Sequence, residues 1–354
     1  MRLRARWIPD AAPASAGRIA LVPLTLSSWL YGAITWAHGA LYRSGLLRRR
    51  RLGSRVVSIG SPVAGGSGKT PTAAWVASRL RERGHKVVLA TRGYGRSGRD
   101  AVVVLSDGRH VRSALSEAGD EPALLVGLAA GVPVLVGPDR SLVGLRAISL
   151  FGADVIVLDD GMQHHRLARD VEIVTLDGSE GLGNGWVLPR GPLRERLGSL
   201  RRADAVIVVD GPLAETDAAR LRRHAPRVRR QAARRAARSL RPLAGGRAEP
   251  PSRLAGRRVG LLCAIARPDS LRRTVEALGA EVVAERCFAD HHAYSRRDLV
   301  GLGIESPCWI TTEKDAVKIL PVWLEPDVEL HVLGISLEVE DSDAFLDWLD
   351  ARVR

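Results

Sequence analysis

The chain has 354 residues, 45% of them hydrophobic, a formal charge of +14 and three cysteines. That length and apolar content exclude a disordered chain and favour two domains. Cys263, Cys287 and Cys308 form no C-x-x-C pair, which speaks against a zinc site or disulfide framework and fits a reducing compartment. The positive charge points to an anionic partner without choosing among nucleic acid, an acidic membrane surface and a phosphorylated substrate. It is carried by 49 arginines and only four lysines, Lys69, Lys86, Lys314 and Lys318, so a lysine marks a place where a compact ammonium is wanted.

Residues 19–42, IALVPLTLSSWLYGAITWAHGALY, carry no formal charge and are flanked by arginines. The length would span a bilayer. Pro23, Thr25, Ser27, Ser28, Thr35 and His38 argue against that, and the apolar residues Leu26, Trp29, Leu30, Ala33, Ile34, Ala37 and Leu41 form a helical stripe. The pattern predicts an amphipathic helix lying in a membrane surface, with a core-packing helix and a true span as the alternatives. No small-residue cleavage site separates it from the arginines that follow, so it does not read as a cleaved secretory signal.

From Val56 onward, short apolar runs alternate with helical stretches: RVVSIG, KVVLATRGYG, VPVLVGPDR, ADVIVLDDG, DVEIVTLDG and ADAVIVVDG, each ending at glycine or aspartate or just short of one. Unbroken apolar strands with helices between them predict a parallel sheet buried on both faces. The first run leads into SPVAGGSGKTPTAAWVASRL. Gly65, Gly66, Ser67 and Gly68 allow close backbone approach to phosphate, Lys69 supplies a charge and Thr70 a magnesium ligand. The strict P-loop pattern wants glycine at position 63, where this chain has Val63. Asp159 and Asp160 end the strand DVIVLDD as candidate metal carboxylates, with turn or cap roles as the alternative.

Between Arg220 and Arg241, ten arginines interleave with alanine, and PLAGGRAEPPSR follows. Without aromatics, this reads as a solvated face or linker rather than a nucleic-acid surface, and it marks a domain boundary. A second α/β pattern follows. The expected organisation is an N-terminal membrane-associating helix in residues 1–48, a P-loop core in 49–225 and a smaller α/β domain in 226–354.

Seven segments in order, GSPVAGGSGKTP, RGYGR (92–96), GDEP (119–122), DDGMQHHR (159–166), LPRGPLRE (188–195), DHH (290–292) and TEKDAVK (312–318), resemble the tetraacyldisaccharide 4'-kinase family over most of the chain. The family's loop, G-N-x-T-V-G-G-T-G-K-T-P, also lacks the outer glycine, so Val63 is no objection; this chain departs from it at Ser61, Pro62, Val63 and Ala64. The resemblance implies a P-loop NTPase-like α/β fold and ATP-dependent phosphorylation, with Mg2+, of the 4'-hydroxyl of a tetraacylated glucosamine disaccharide 1-phosphate in lipid A biosynthesis. It implies Asp120 as the base, paired with His291 as the histidine that orients it or raises its basicity, with His292 as the alternative to His291, and Lys69 at the β and γ phosphates. Thr70 with Asp159 or Asp160 would surround the metal, and Glu121 is a further candidate for metal or acceptor. Gln163 and His164 would contact the nucleotide or position the acidic pair, while Arg92 and Arg96 are candidates for the 1-phosphate.

If the histidine lies in the second domain, catalysis requires domain closure. The expected location is the cytoplasmic face of the bacterial inner membrane, peripheral or monotopic, with glycolipid and ATP as partners and no nucleic acid. Two other readings remain: a different P-loop kinase or NTPase acting on another anionic acceptor, and an adaptor with a degenerate loop. A guanine-reading N-K-x-D is missing, since TEKD lacks the asparagine.

Overall fold

The computed structural model describes residues 22–93, 100–113 and 118–354. In chain order the elements are α1 (Val22–Arg43), β1 (Arg55–Gly60), α2 (Lys69–Glu82), β2 (Val87–Thr91), β3 (Val103–Ser106), α3 (Asp120–Leu128), β4 (Val134–Val136) and α4 (Arg140–Phe151). Next come β5 (Val155–Asp159), β6 (Val171–Asp177), β7 (Ala205–Val209), α5 (Glu215–His224), β8 (Arg229–Pro242), β9 (Arg258–Cys263) and α6 (Pro268–Ala277). The chain ends with β10 (Glu281–Cys287), α7 (Leu302–Glu305), β11 (Cys308–Thr312), α8 (Glu313–Ala316), β12 (Glu329–Val339) and α9 (Ser342–Val353).

These elements form two units that are discontinuous in sequence. One comprises Met1–Arg92, Leu135–Arg234 and Val339–Arg354, of which residues 1–21 lie outside the described residues; the other comprises Gly93–Val134 and Arg235–Glu338. This differs from the consecutive segments 49–225 and 226–354 expected from the sequence. Residues 93–134 join the second unit and the last helix joins the first, because such grouping follows spatial contacts that a linear scan of composition does not register.

In the first unit the strands run in the order β8-β7-β6-β1-β5-β2-β4. The pairs β1/β5, β1/β6, β2/β5, β6/β7 and β7/β8 are all parallel. Every residue of β2, β5 and β6 is buried, as expected of strands covered on both faces. The register sets Ile59 opposite Asp159, so β1 and β5 reach the same edge of the sheet together.

The arginine-alanine stretch, expected as a linker or solvated face, runs from the end of α5 into strand β8, which presents one solvated face. Its period-2 pattern buries Gln231 and Ala233 while Arg230, Ala232 and Arg234 face solvent. Alanine and arginine are not strong strand formers, so pairing with β7 supplies what local preference does not.

In the second unit β9 pairs in parallel with β10 and β11, and β11 with β12. A core of Leu254, Val259, Leu261, Val275 and Ile310 lies on one side. Trp309, fully buried, packs with Leu262, Leu299 and Leu330 on the other and donates its indole N–H to Leu302 and Ser306 carbonyls.

Helix α1 buries three of its small residues, Ser28, Gly32 and Gly39. Ser28 Oγ donates to Val187 O at 2.7 Å. The opposite face leaves Leu26, Trp29, Leu30, Ile34 and Trp36 about 59–65% exposed. No helix among the described residues is long and apolar enough to cross a membrane.

Candidate active site

Residues 61–68 connect β1 to α2, and their first half is held as extended chain. Val63 makes an antiparallel bridge to Leu193, Ala64 N donates to Pro192 O at 2.8 Å, and Arg194 N donates to Pro62 O at 2.6 Å. The Val63 side chain is buried in a cluster with Met162, Leu176 and Leu193. Glycine is therefore not needed at position 63, where the backbone is strand-like and the side chain fills core. The turn comes later, at Gly65 (φ 114°) and Gly68 (φ 84°), where L side chains would be strained. Helix α2 then starts at Lys69 with no side-chain cap and no acidic residue in its first turn, leaving an N-terminus suited to an anion.

Lys69 Nζ donates to Gly65 O at 3.3 Å and lies 3.9 Å from Asp160 Oδ1. Thr70 Oγ1 donates to Asp159 Oδ2 at 3.2 Å. Ser67 is buried with its hydroxyl 3.2 Å from Thr175 Oγ1. Gln163 Nε2 donates to Ser61 O at 3.2 Å, tying the segment after β5 to the start of the loop.

The two aspartates have different surroundings. Asp159 ends β5 and is buried beside Thr70. Asp160 has φ 53°, a left-handed conformation that aspartate tolerates at some cost, and both its oxygens accept from Arg194, at 2.9 and 2.7 Å. Burial would raise the Asp160 carboxyl, but Lys69, Arg194 and Arg140 outweigh it and hold it below the usual carboxylate range. His164 is pushed down to about 4 and His165 to about 3, in both cases first by burial and then by neighbouring arginines. His165 faces α1, with its ring against Tyr42 and His38.

Arg194 is the residue that sequence reasoning passed over. It lies in the quoted LPRGPLRE segment, but its reach to Asp160 depends on the Val63–Leu193 bridge, which no local pattern announces. Arg92 is exposed, and Arg96 lies outside the described residues.

A second cluster lies within the other unit. Asp120 opens α3, and its Oδ2 is 2.9 Å from His291 Nδ1. His291 is left-handed (φ 64°), with its N–H donating to Asp290 Oδ1 at 3.1 Å, whereas His292 turns to Asp298 at 3.3 Å and stacks on Phe288. Burial would raise the Asp120 carboxyl; the hydrogen bond with His291 and the charges of Lys314, His291 and Lys318 bring it below the usual range. The same hydrogen bond raises His291, against burial and Lys314. Glu121 follows Asp120 in the first turn of α3, and its N–H donates to Asp120 Oδ1 at 3.1 Å.

A parallel sheet whose central strand runs into a Gly-Lys-Thr loop, with a carboxylate beside the threonine from the neighbouring strand, defines the P-loop nucleotide-binding class. Within that class the chain matches the family model for Tetraacyldisaccharide-1-P 4'-kinase over residues 18–354, and it belongs to that family. It is 43% identical to the tetraacyldisaccharide 4'-kinase of Anaeromyxobacter sp. (strain Fw109-5), covering 98% of this chain and 95% of the relative. It is 40% identical to that of Syntrophus aciditrophicus, covering 79% of each. Among solved structures it is similar to LpxK from Aquifex aeolicus in complex with ATP, with a TM-score of 0.76 and 27% identity over 95% of this chain and 99% of that one.

Proposed function

We propose that the protein transfers the γ-phosphoryl group of ATP to the 4'-hydroxyl of a tetraacylated glucosamine disaccharide 1-phosphate, a step of lipid A biosynthesis. The observation that carries this reading is the Gly-Lys-Thr loop with Thr70 against Asp159, in a chain of the 4'-kinase family.

Backbone amides of Gly65, Gly66, Ser67 and Gly68 cradle the phosphates, and Lys69 places its ammonium at the β and γ phosphates. Asp160 and Gly65 O, both within reach of Lys69 Nζ, orient that side chain, and Arg194 holds Asp160 in place. Gln163 fixes the start of the loop through Ser61 and contacts the nucleotide. Thr70 and Asp159 present adjoining hard oxygens, a donor set that fits Mg2+, with Asp160, next in sequence, as the alternative carboxylate. Held by these residues, Mg2+ would supply positive charge against the charge developing on the transferred phosphoryl group. Proton removal from the acceptor belongs to His291 and Asp120: the carboxylate orients the imidazole and stabilises its charged form, which lets the ring take the hydroxyl proton.

The acceptor's acyl chains keep it in a bilayer, so the enzyme works at a membrane surface. The exposed apolar face of α1 supports that role, with Trp29 and Trp36 suited to the headgroup level. Beside it lies a cleft of about 1010 Å³ lined by Trp29, Trp36, Trp186 and Leu197 together with Arg196 and Arg202, a mixture suited to an amphiphile. Use of ATP places the protein on the cytoplasmic face of the inner membrane, held peripherally or as a monotopic protein.

The test is transfer of labelled γ-phosphate from Mg-ATP to the disaccharide 1-phosphate in detergent micelles, beside the 4'-deoxy analogue. Label on the first and none on the second is expected. Equal labelling of both, or of neither, would overturn the assignment.

A further inference from the structure

The TEKDAVK segment holds two of the chain's four lysines, and the structure gives its polar residues distinct places. Thr312 caps α8, accepting from Asp315 N. Asp315 is fully buried: its Oδ2 accepts from Ala264 N at 3.0 Å and from Thr312 Oγ1 at 2.8 Å, and its Oδ1 lies 2.9 Å from Lys318 Nζ. Glu313 accepts from Ile335 N at 3.1 Å and from Arg238 at 3.2 Å. These contacts fix α8 against β9 and β12. Lys314 and Lys318 then point the same way. Lys314 Nζ donates to Asp290 Oδ1 at 2.7 Å and lies 3.8 Å from Asp120 Oδ2, while Lys318 Nζ lies 3.9 Å from that oxygen. Both side chains are 16% exposed. The oxygen that meets His291 therefore has two ammonium groups around it as well.

Resting on the assignment of Asp120 and His291 to proton removal, we propose that Lys314 and Lys318 are positioning residues for this dyad. They hold Asp120 as a carboxylate turned to His291 and oppose the protonation of His291 that Asp120 favours. The charged groups facing the pair are these two lysines from the segment around α8, Asp290 beside His291, Glu121 next to Asp120 on α3, and Asp315 behind Lys318. Asp120 and Asp290 favour a protonated imidazole; the two ammonium groups oppose them.

The sign of the test follows. Removing an ammonium favours protonation of both His291 and Asp120, so the acid limb of the kcat profile moves to higher pH. In the full chain, Lys314→Met and Lys318→Met are each expected to move that limb up by roughly one unit. The KM values for ATP and lipid should stay close to wild type, and Lys314→Arg should return the limb toward its wild-type position. In parallel, the His291 pKa read by NMR of histidine-labelled full chain without substrate should rise in both Met variants. A uniform loss of rate without a shift of the limb would mean a merely structural role, and a raised lipid or ATP KM without a shift would mean direct substrate contact; either result overturns the proposal. If Lys318→Met fails to fold because Asp315 loses its partner, Lys314→Met carries the test alone. If wild type shows no transfer, the kinase reading fails, and the NMR titration still decides the electrostatic claim.

Discussion

Asp159 and Asp160 are adjacent in sequence and do different work. Strand β5 ends with the Asp159 carboxylate buried against Thr70, whereas the left-handed turn at Asp160 directs its carboxylate to Arg194 and Lys69. Asp159→Asn removes a charged oxygen from the Thr70 side of the site. It is expected to lower kcat by roughly 10²–10³-fold, as losses of a single transition-state contact do, and to raise the Mg2+ concentration needed for half-maximal rate. Asp160→Asn should leave that Mg2+ requirement closer to wild type and act mainly through Lys69. A steady-state Mg2+ titration of both variants checks the distinction, and equal Mg2+ defects would contradict it.

Two elements show how local packing shapes the site. The bridge from Val63 to Leu193 holds the start of the phosphate loop, so restoring the glycine of the strict motif should harm the protein. Val63→Gly empties a buried position and frees the unfolded backbone, and should lower stability by about 2 kcal/mol, read as a lower urea midpoint without gain in activity. The segment after β5 packs against α1 through His165. Its pKa of about 3 lies below the ordinary 6.5, so the unfolded chain binds the proton first as pH falls. The stability from keeping His165 neutral is fully present above pH 6.5 and is lost as pH drops toward 3. The loss by pH 5 is about 2 kcal/mol. Thermal melts at pH 7 and pH 5 should therefore separate less for His165→Gln than for wild type.

At the scale of the whole molecule, α1 buries Ser28, Gly32 and Gly39 and leaves its large apolar side chains exposed, which is the reverse of an ordinary surface helix. Trp29→Glu with Leu30→Glu should leave the melting temperature nearly unchanged, because both side chains are exposed. It should weaken sedimentation with anionic vesicles by at least about tenfold, given roughly 1.5–3 kcal/mol for burying each apolar side chain. Unchanged vesicle binding would assign the exposed face another purpose. Much of this organisation is legible in the sequence: unbroken apolar runs announce buried parallel strands, and the Gly-Lys-Thr loop and the aspartates that the fold sets beside it are both quoted motifs. Strand β8 hides because its alternation is written in arginine and alanine. The inclusion of residues 93–134 in the second unit, which puts Asp120 beside His291, depends on tertiary contacts that leave no compositional mark. The same holds for Arg194, brought to Asp160 by a strand bridge between segments far apart in the chain.

The central claim is that phosphate handling by the loop and proton removal by the dyad serve one transfer to a sugar hydroxyl. The most direct measurement is ATP binding and labelled-phosphate transfer to the tetraacylated disaccharide 1-phosphate by wild type, Lys69→Ala and Asp120→Asn. The account predicts that wild type binds and transfers, that Lys69→Ala loses both, and that Asp120→Asn binds ATP normally while transfer collapses. Transfer at the wild-type rate by Asp120→Asn would contradict it, as would a folded, ATP-binding wild type that leaves the lipid unlabelled.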